Sequence, residues 1–470
     1  MPRSLTSGRP WRVITIFALP LLVGNVVQQL YHFTDAAVVG RLLGVSSLAA
    51  VGSTTSFIFV VIGFSWGMAT GFAIPTARSF GANDPRAMQR SVATGSLLTL
   101  VASLILTLAG ALLARPALDL LQTPSDLIEQ ASTFAEVTLL GSAATMFFNY
   151  VTAIIRATGD SKTPLVFLIL SCLLNAGFVV LFVGPLRMGV AGAALATVAA
   201  QAITVVMCIE FIRRRIPALH LSRAVLRPDA ASLREHIRLG LPMGFQMAII
   251  SAGSLAVQFR LNELGSVSVA SYTSAYRVDS FAVALLMSLG LAVSVFVAQN
   301  HGAHRLDRIR SGVLHALYVA TASSVILGIL LVVAGPFIIR IFIGDESAAV
   351  VELAMSGLTL NSCLYTVLGV LFVLRGALQG LGYTLIPTVT GAVELGARIA
   401  TALWLAPAFG YGGIIWGTPL AWIAAVVILV PTYLVARKRL ISVPPIAIDA
   451  TDNSSQPRPE PLPIYERDVQ

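Results

Sequence analysis

Three carboxylates interrupt long apolar stretches of this sequence: Asp35, Asp279 and Glu394. Gln28, Tyr31 and Asp35 recur at i, i+3 and i+7, so they share one face of a helix. Carboxylates within apolar spans usually mark the pathway of an ion or a substrate, because their burial in lipid is costly. We therefore interpret the three acids as candidate cation-coupling residues. For Asp35, which lies near the end of its apolar segment, the alternative is a residue at the membrane interface.

Two of these acids have a charged or polar neighbour at helical spacing. Tyr272 and Asp279 share one helical face, from which Arg277 points away. This face could meet substrate or protons, or Asp279 could form a structural ion pair with another helix, and both interpretations stand. Glu394 and Arg398, spaced i, i+4 with the acid first, have the favourable order for a pair within one helix. A structural pair is the better interpretation here, and a proton relay is the alternative.

Uncharged polar residues within the apolar stretches, together with two arginines, form a second candidate set that would line a substrate cavity. Amides in such positions more often join helices than bind a substrate, so each residue alone is weak evidence. The candidate cavity residues are Gln28, Tyr31, Asn175, Gln246, Tyr272, Arg277, Asn361, Tyr365 and Arg398.

The composition indicates an integral membrane protein. The chain has 470 residues and a mean hydropathy of +0.84, and it is 56% hydrophobic and 11% charged. Soluble domains carry about 25% charged residues. The apolar runs are continuous, without the alternation of a membrane barrel, so the spanning elements are helices. The net charge of +9 comes from basic residues in short loops and does not indicate a nucleic-acid partner.

No sequence motif for a nucleotide or a metal is present. The chain has no GxxxxGK[ST], HExxH or CxxC sequence. The six His show no ligand spacing, and the three Cys lie singly in apolar runs. We therefore predict no catalytic residues, no metal and no cofactor, and an ion gradient as the energy source. The alternative of a membrane enzyme lacks a cluster of catalytic polar residues.

Twelve membrane spans can be counted between residues 12 and 436, separated by clusters of charged and helix-breaking residues. With the N-terminus inside, the inner segments hold twenty-two Lys and Arg and the outer segments hold five. This asymmetry predicts that both termini are cytoplasmic.

The two halves of the chain repeat at an offset of 221–223 residues. Leu19-Pro20 recurs as Leu241-Pro242, and Gly81-Ala82 recurs as Gly302-Ala303. Six spans per half give both halves the same topology, related by an axis along the membrane normal. The predicted fold is an all-α integral membrane protein with twelve transmembrane helices in two six-helix repeats, or lobes, around a central cavity.

The domain boundaries follow from the repeat and from local composition. We predict a cytoplasmic N-terminal tail at 1–11, an N-lobe at 12–214 and a C-lobe at 240–436. An Arg-rich cytoplasmic linker at 215–239 joins the lobes. A Pro-rich C-terminal tail at 437–470 is predicted to be disordered. Two similar bundles facing each other are typical of an alternating-access transporter.

Several motifs together resemble the multidrug and toxic compound extrusion (MATE) transporters. They are LP at 19–20 followed by Asp35 and Val39-Gly40, LG…LAAVG at 43–52, FGANDPR at 80–86, RATGDSKTP at 156–164, GxxGAAxAT at 189–197 and VAQNHGAHRLDR at 297–308. The resemblance covers about residues 12–436. It implies two six-helix lobes around a cavity and export of organic cations and other amphipathic compounds in exchange for H⁺ or Na⁺.

The family's coupling residues are only partly present. Asp35 matches the first-helix acid used for cation coupling in both main bacterial branches. One branch has another acid early in helix seven, where this sequence has Ile250. The other has an acid four residues after an Asn of helix five, and here Asn175 is followed at that distance by Val179. The remaining candidates for the missing roles are Asp279, Glu394, Arg277 and Arg398.

The resemblance implies a multi-pass exporter of the cell inner membrane that works as a monomer, with small amphipathic substrates and membrane lipids as its partners. The alternative is a flippase for lipid-linked oligosaccharides. A flippase would need several arginines in its cavity to hold a pyrophosphate, and only Arg277 and Arg398 lie within predicted spans.

The basic asymmetry makes a testable prediction about topology. A single cysteine introduced at position 220 should react with an impermeant maleimide only from the cytoplasmic side, and one at position 345 only from outside. The measurement is labelling of intact cells against inverted vesicles. Labelling of position 220 in intact cells would contradict both the orientation and the parallel relation of the repeats.

Overall fold

A computed structural model describes residues 4–120, 123–219, 229–343 and 348–441. These residues form helices and connecting turns and contain no strand. Continuous apolar runs favour helices because a helix satisfies its backbone hydrogen bonds internally, as a lipid environment requires. Positions 220 and 345 and most of the predicted disordered tail lie outside the described residues.

The first half of the chain forms six helices. They are α1 (Pro10–Gly81), α2 (Pro85–Leu120), α3 (Ile128–Leu140), α4 (Ser142–Ala157), α5 (Lys162–Val183) and α6 (Gly189–Arg215). A short 3₁₀ turn follows at Pro217–Leu219.

The second half forms the remaining helices. They are α7 (Ala230–Glu263), α8 (Ser266–Gly302), α9 (Leu306–Ile343), α10 (Ala348–Gly380), α11 (Leu385–Ala400), α12 (Ala406–Phe409), α13 (Tyr411–Ile415) and α14 (Gly417–Ile441). A π-helical turn at Thr401–Leu405 joins α11 to α12. Helix α7 begins inside the predicted linker, where the side chain of Asp229 caps it by accepting a hydrogen bond from the amide of Ala231.

Eleven helical segments are long and apolar enough to cross a membrane, and a bent pair completes the twelve predicted spans. The pair is α3 and α4, which meet at 47°. The first two predicted spans both lie within α1, and the break between them falls where the sequence places it. Helix α1 leaves helical geometry at Gly44, whose φ is 84°, so it consists of two helical segments. Glycine adopts this left-handed conformation without the steric cost that a Cβ imposes.

The two lobes meet in a symmetric backbone contact. The second half of α1 packs along α7 and α8. A Cβ placed on Gly81 would collide with the carbonyl of Gln299, and one placed on Gly302 would collide with the carbonyl of Arg78. Positions 81 and 302 are 221 residues apart, and so are positions 78 and 299. The contact is therefore what a two-fold axis between parallel repeats requires.

A network of hydrogen bonds closes the end of the bundle that bears the chain termini. Gln299 accepts a hydrogen bond from the amide of Leu5 at 2.9 Å and donates to the carbonyl of Ala157 in the other lobe at 2.8 Å. Leu5 is buried in the core of the C-lobe, and Arg308 donates to the carbonyls of Ser7 and Gly8 at 2.7 and 2.6 Å. The N-terminal segment is thus fastened across the junction of the lobes.

The glycine contact predicts a size limit at the lobe junction. Gly81→Ala and Gly302→Ala should each destabilise the protein by about 1–3 kcal/mol, because an added methyl group must displace backbone. The measurement is thermal melting of the purified protein. Gly177→Ala is the matched control, since nothing lies within 4 Å of its added Cβ in α5. Wild-type melting of both junction variants would contradict the symmetric contact.

Candidate functional site

A polar cluster in the N-lobe surrounds the first candidate acid. The hydroxyl of Tyr31 on α1 lies 3.1 Å from the hydroxyl of Thr197 on α6. The amide of Asn175 on α5 donates to the same hydroxyl at 3.0 Å. Asp35 follows Tyr31 by one helical turn and is close enough to interact with it electrostatically. Asn175, a candidate from another helix, is therefore joined through Thr197 to the face of α1 that carries Tyr31 and Asp35.

One carboxylate oxygen of Asp35 has no hydrogen-bond donor among the described residues. Its Oδ1 is buried, and none of the described residues donates a hydrogen bond to it. An unsatisfied buried carboxylate oxygen is costly, and the cost falls when the group takes up a proton or another cation. Asp35 therefore has the surroundings of a group that binds and releases a cation.

The second candidate acid, Asp279 on α8, has the opposite environment. The hydroxyl of Tyr365 on α10 donates to Oδ1 of Asp279 at 2.6 Å, and Asn361, one turn earlier on α10, also hydrogen-bonds to the carboxylate. Asp279 and Tyr365 are both fully enclosed in the C-lobe. The structure thus brings these three predicted residues together, with the carboxylate held by hydrogen bonds rather than left without donors.

The sequence prediction that Glu394 pairs with Arg398 is wrong. Glu394 forms its ion pair with Arg375 of α10, and both side chains are about 5% exposed. Arg398 instead directs a weak hydrogen bond of 3.4 Å at the carbonyl of Ile250 on α7. The spacing along α11 allowed the internal pair, but α10 packs against this face and supplies a closer guanidinium. A role for Glu394 in cation coupling would require this buried pair to open.

Three other predicted cavity residues lie elsewhere in the C-lobe. Gln246 is fully buried, where it donates to the carbonyl of Pro387 at 2.7 Å and accepts from Gln379 at 2.9 Å. It therefore joins α7, α10 and α11. Tyr272 stacks on Tyr276 of the same helix, and Arg277 occupies an exposed position on α8. The two hydrogen bonds of Gln246 indicate that its amide joins helices, as amides within membrane spans commonly do.

A small cavity of about 80 Å³ lies between the lobes. Of the predicted cavity residues, Gln28 lines it. The amide of Asn25, which the sequence analysis missed, donates to the hydroxyl of Ser288 in the other lobe at 2.9 Å. The other lining residues are Pro20, Leu21, Gly24, Trp66, Phe148, Asn149, Thr152, Arg156, Ser161, Pro164, Leu165, Leu168, Met287 and Leu291. The walls are largely apolar, which suits an amphipathic ligand.

None of the described residues forms a group of three or more His, Cys, Asp or Glu side chains that could hold a metal ion. The carboxylates discussed above are single groups in separate places.

A family profile and individual related sequences all indicate the same protein family. The MatE family profile matches residues 20–181 and, separately, 242–404, so it finds the same repeat as the sequence analysis. The probable multidrug resistance protein YoeA of Bacillus subtilis is 29% identical over 386 residues, which cover 81% of this chain and 83% of that protein. Multidrug resistance protein NorM of Burkholderia vietnamiensis is 26% identical, with coverage of 91% and 94%.

Comparison with solved structures shows the same fold. A structure described as the outward-facing conformation of a multidrug resistance MATE family transporter aligns with a TM-score of 0.83 at 20% identity. The alignment covers 93% of this chain and 98% of that chain. A MATE structure in complex with MaL6 aligns with a TM-score of 0.82 at 22% identity, with the same coverage.

The ion pair in the C-lobe makes a prediction about stability. Glu394→Gln and Arg375→Met should each cost about 3–5 kcal/mol, because each leaves one buried charge without its partner. The double variant should lose less than the sum of the two. The measurement is a double-mutant cycle by thermal melting of the purified variants.

The matched control combines Glu394→Gln with Arg398→Met, whose effects should add because the structure gives these residues different partners. If the losses of stability add for Glu394 and Arg375 but not for Glu394 and Arg398, the ion pair between Glu394 and Arg375 is incorrect.

Proposed function

We propose that this chain, which belongs to the MatE family of membrane transporters, is a secondary active antiporter that exchanges H⁺ or Na⁺ for amphipathic or cationic drugs and metabolites. Its relatives are multidrug resistance proteins, and the fold is that of MATE transporters rather than of an enzyme. The chain is a multi-pass membrane protein. We further propose that it resides in the cell inner membrane with both termini cytoplasmic and works as a monomer without a cofactor.

The observation that carries the coupling proposal is the buried Oδ1 of Asp35, which has no donor among the described residues. Tyr31, Thr197 and Asn175 form a hydrogen-bonded group beside it, so a small change in charge at Asp35 can alter their arrangement. The three polar partners come from α1, α5 and α6. Binding of a cation at Asp35 can thus bias how these helices pack.

Alternating access supplies the link between the cation and the substrate. The lobes touch at the end that bears the termini, and the cavity between them lies beyond this closure. With the predicted orientation, this contact closes the space between the lobes on the cytoplasmic side. A cation that binds Asp35 more tightly in one conformation shifts the population toward that conformation, and only such differential affinity can drive export.

The flippase alternative finds less support in the arrangement of arginines. Arg375 is neutralised by Glu394, Arg398 points to a backbone carbonyl, and Arg277 is exposed on α8. A pyrophosphate needs several guanidinium groups that converge on one place. These three do not converge, so export of small amphipathic compounds is the function we favour.

The role of Asp35 predicts a separation of binding from transport. Asp35→Asn should leave folding and substrate binding largely intact, because the amide resembles the protonated acid, but should abolish gradient-driven efflux. Dye binding and dye efflux would be measured on the same purified variant in proteoliposomes, with a proton gradient and a sodium gradient imposed separately.

Two variants serve as references for this experiment. Glu129→Gln changes an exposed acid and should transport as the wild type does. Asp279→Asn tests the hydrogen-bonded acid of the C-lobe. Normal efflux by Asp35→Asn together with loss of efflux by Asp279→Asn would move the coupling site to the C-lobe.

A further inference from the structure

Arg156 takes part neither in the ion pairs of the described residues nor in the proposed coupling at Asp35. It lies in the last turn of α4 and begins the RATGDSKTP motif. Its half-buried guanidinium forms no ion pair or hydrogen bond with any of the described residues. By contrast, the buried guanidinium of Arg375 has Glu394 as its partner. A guanidinium kept from bulk water without a counter-charge is costly unless something else supplies one.

Arg156 lies at the floor of the space between the lobes, which is its closed end nearest the chain termini. It lines the cavity described above and also a second, smaller one between α1, α4 and α8. The next residue, Ala157, accepts the hydrogen bond from Gln299 that closes the terminal end of the bundle. Arg156 is the single charged residue among those that line the two cavities. The electrostatic character of this space is therefore positive, and neither Asp35 nor Asp279 contributes to its walls.

The surroundings of Arg156 fit an anionic group attached to an apolar body. Asn149 and Thr152 lie on the same face of α4, at intervals of three and four residues, and Ser161 lies beside them in the cavity wall. The amide of Asn149 and the hydroxyl of Ser161 can donate hydrogen bonds to an oxyanion held by the guanidinium, whereas the hydroxyl of Thr152 donates to the carbonyl of Phe148 at 2.8 Å. Above them the walls are formed by apolar side chains, namely Phe148, Trp66, Leu165, Leu168, Met287 and Leu291.

We propose that Arg156 binds the anionic group of the transported compound, so that the site favours amphipathic carboxylates and sulfonates over cations of the same size. This inference rests on the proposed export function and narrows its substrates to anionic amphipathic compounds, so that cationic drugs would be the poorer substrates of this chain. A cation would have to approach an unneutralised guanidinium at the floor of the cavity, whereas an anion supplies the missing counter-charge. One guanidinium suits a single negative charge, in contrast to a pyrophosphate.

The test compares two dyes with the same fluorophore and opposite charges, dansylglycine and dansylcadaverine. Purified protein in nanodiscs of neutral phosphatidylcholine, which exclude anionic lipid headgroups, would be titrated with each dye at equal ionic strength. The wild type should bind dansylglycine at least about 10-fold more tightly, because a hydrogen bond to a charged group is worth this factor or more.

The variants then assign the preference to one residue. Arg156→Gln should weaken dansylglycine binding by about 10-fold or more and leave dansylcadaverine unchanged or bound more tightly, while Arg156→Lys should keep part of the preference. Arg90→Gln, which removes an exposed arginine of α2, is the matched control and should bind as the wild type does. A second measurement needs no variant: benzoate should displace dansylglycine from the wild type, and benzylamine should not.

Several results would overturn the inference: tighter binding of dansylcadaverine by the wild type, equal weakening of both dyes by Arg156→Gln, or failure of the wild type to bind dansylglycine. The proposed function fails in a different way. If dansylglycine binds as expected but neither a proton nor a sodium gradient drives its efflux, the anion site stands and gradient-driven export does not.

Discussion

The close approach of two glycines, Gly81 and Gly302, is the constraint on which the arrangement of the lobes depends. Each lies against a backbone carbonyl of the other lobe, so no side chain separates the two bundles there. A contact of this kind holds two helices at one distance and in one register, because backbone cannot yield as a flexible side chain does. The cavity begins where this contact ends. Its floor and the hydrogen bonds of Gln299 to Leu5 and Ala157 are consequences of the same junction.

The two repeats have the same topology but different electrostatics. In the C-lobe each buried acid has a partner, since Asp279 accepts from Tyr365 and Glu394 pairs with Arg375. In the N-lobe, Asp35 retains a buried oxygen without a donor. A charge that is already satisfied resists a change of state, whereas an unsatisfied one gains from binding a proton or an ion. The duplication thus gives one lobe fixed by internal pairs and one lobe suited to respond.

Both unsatisfied charges that the proposals use are contributed by the N-lobe. Asp35 on α1 would take the cation, and Arg156 at the end of α4 would take an anionic group of the substrate. The two groups face different surroundings, because Asp35 lies beside the Tyr31–Thr197–Asn175 cluster and Arg156 lies at the floor of the cavity. Movement of α1 against α4 can therefore change the fit of both ligands, which is the coupling that an antiporter needs.

Features that depend on the order of residues along the chain were determined by the sequence: the membrane class, the twelve spans and the repeat at 221–223 residues. The same local reasoning placed Asp35 and Tyr31 on one helical face. It failed for Glu394, whose partner is Arg375 on another helix, and it overlooked Arg156 as part of a cavity wall. Hydropathy and helical periodicity depend only on residues that are close together in the sequence, so the sequence alone is enough to determine them. Partner choice and cavity walls depend on distances of a few ångströms between helices far apart in sequence, which only the packing of the lobes decides.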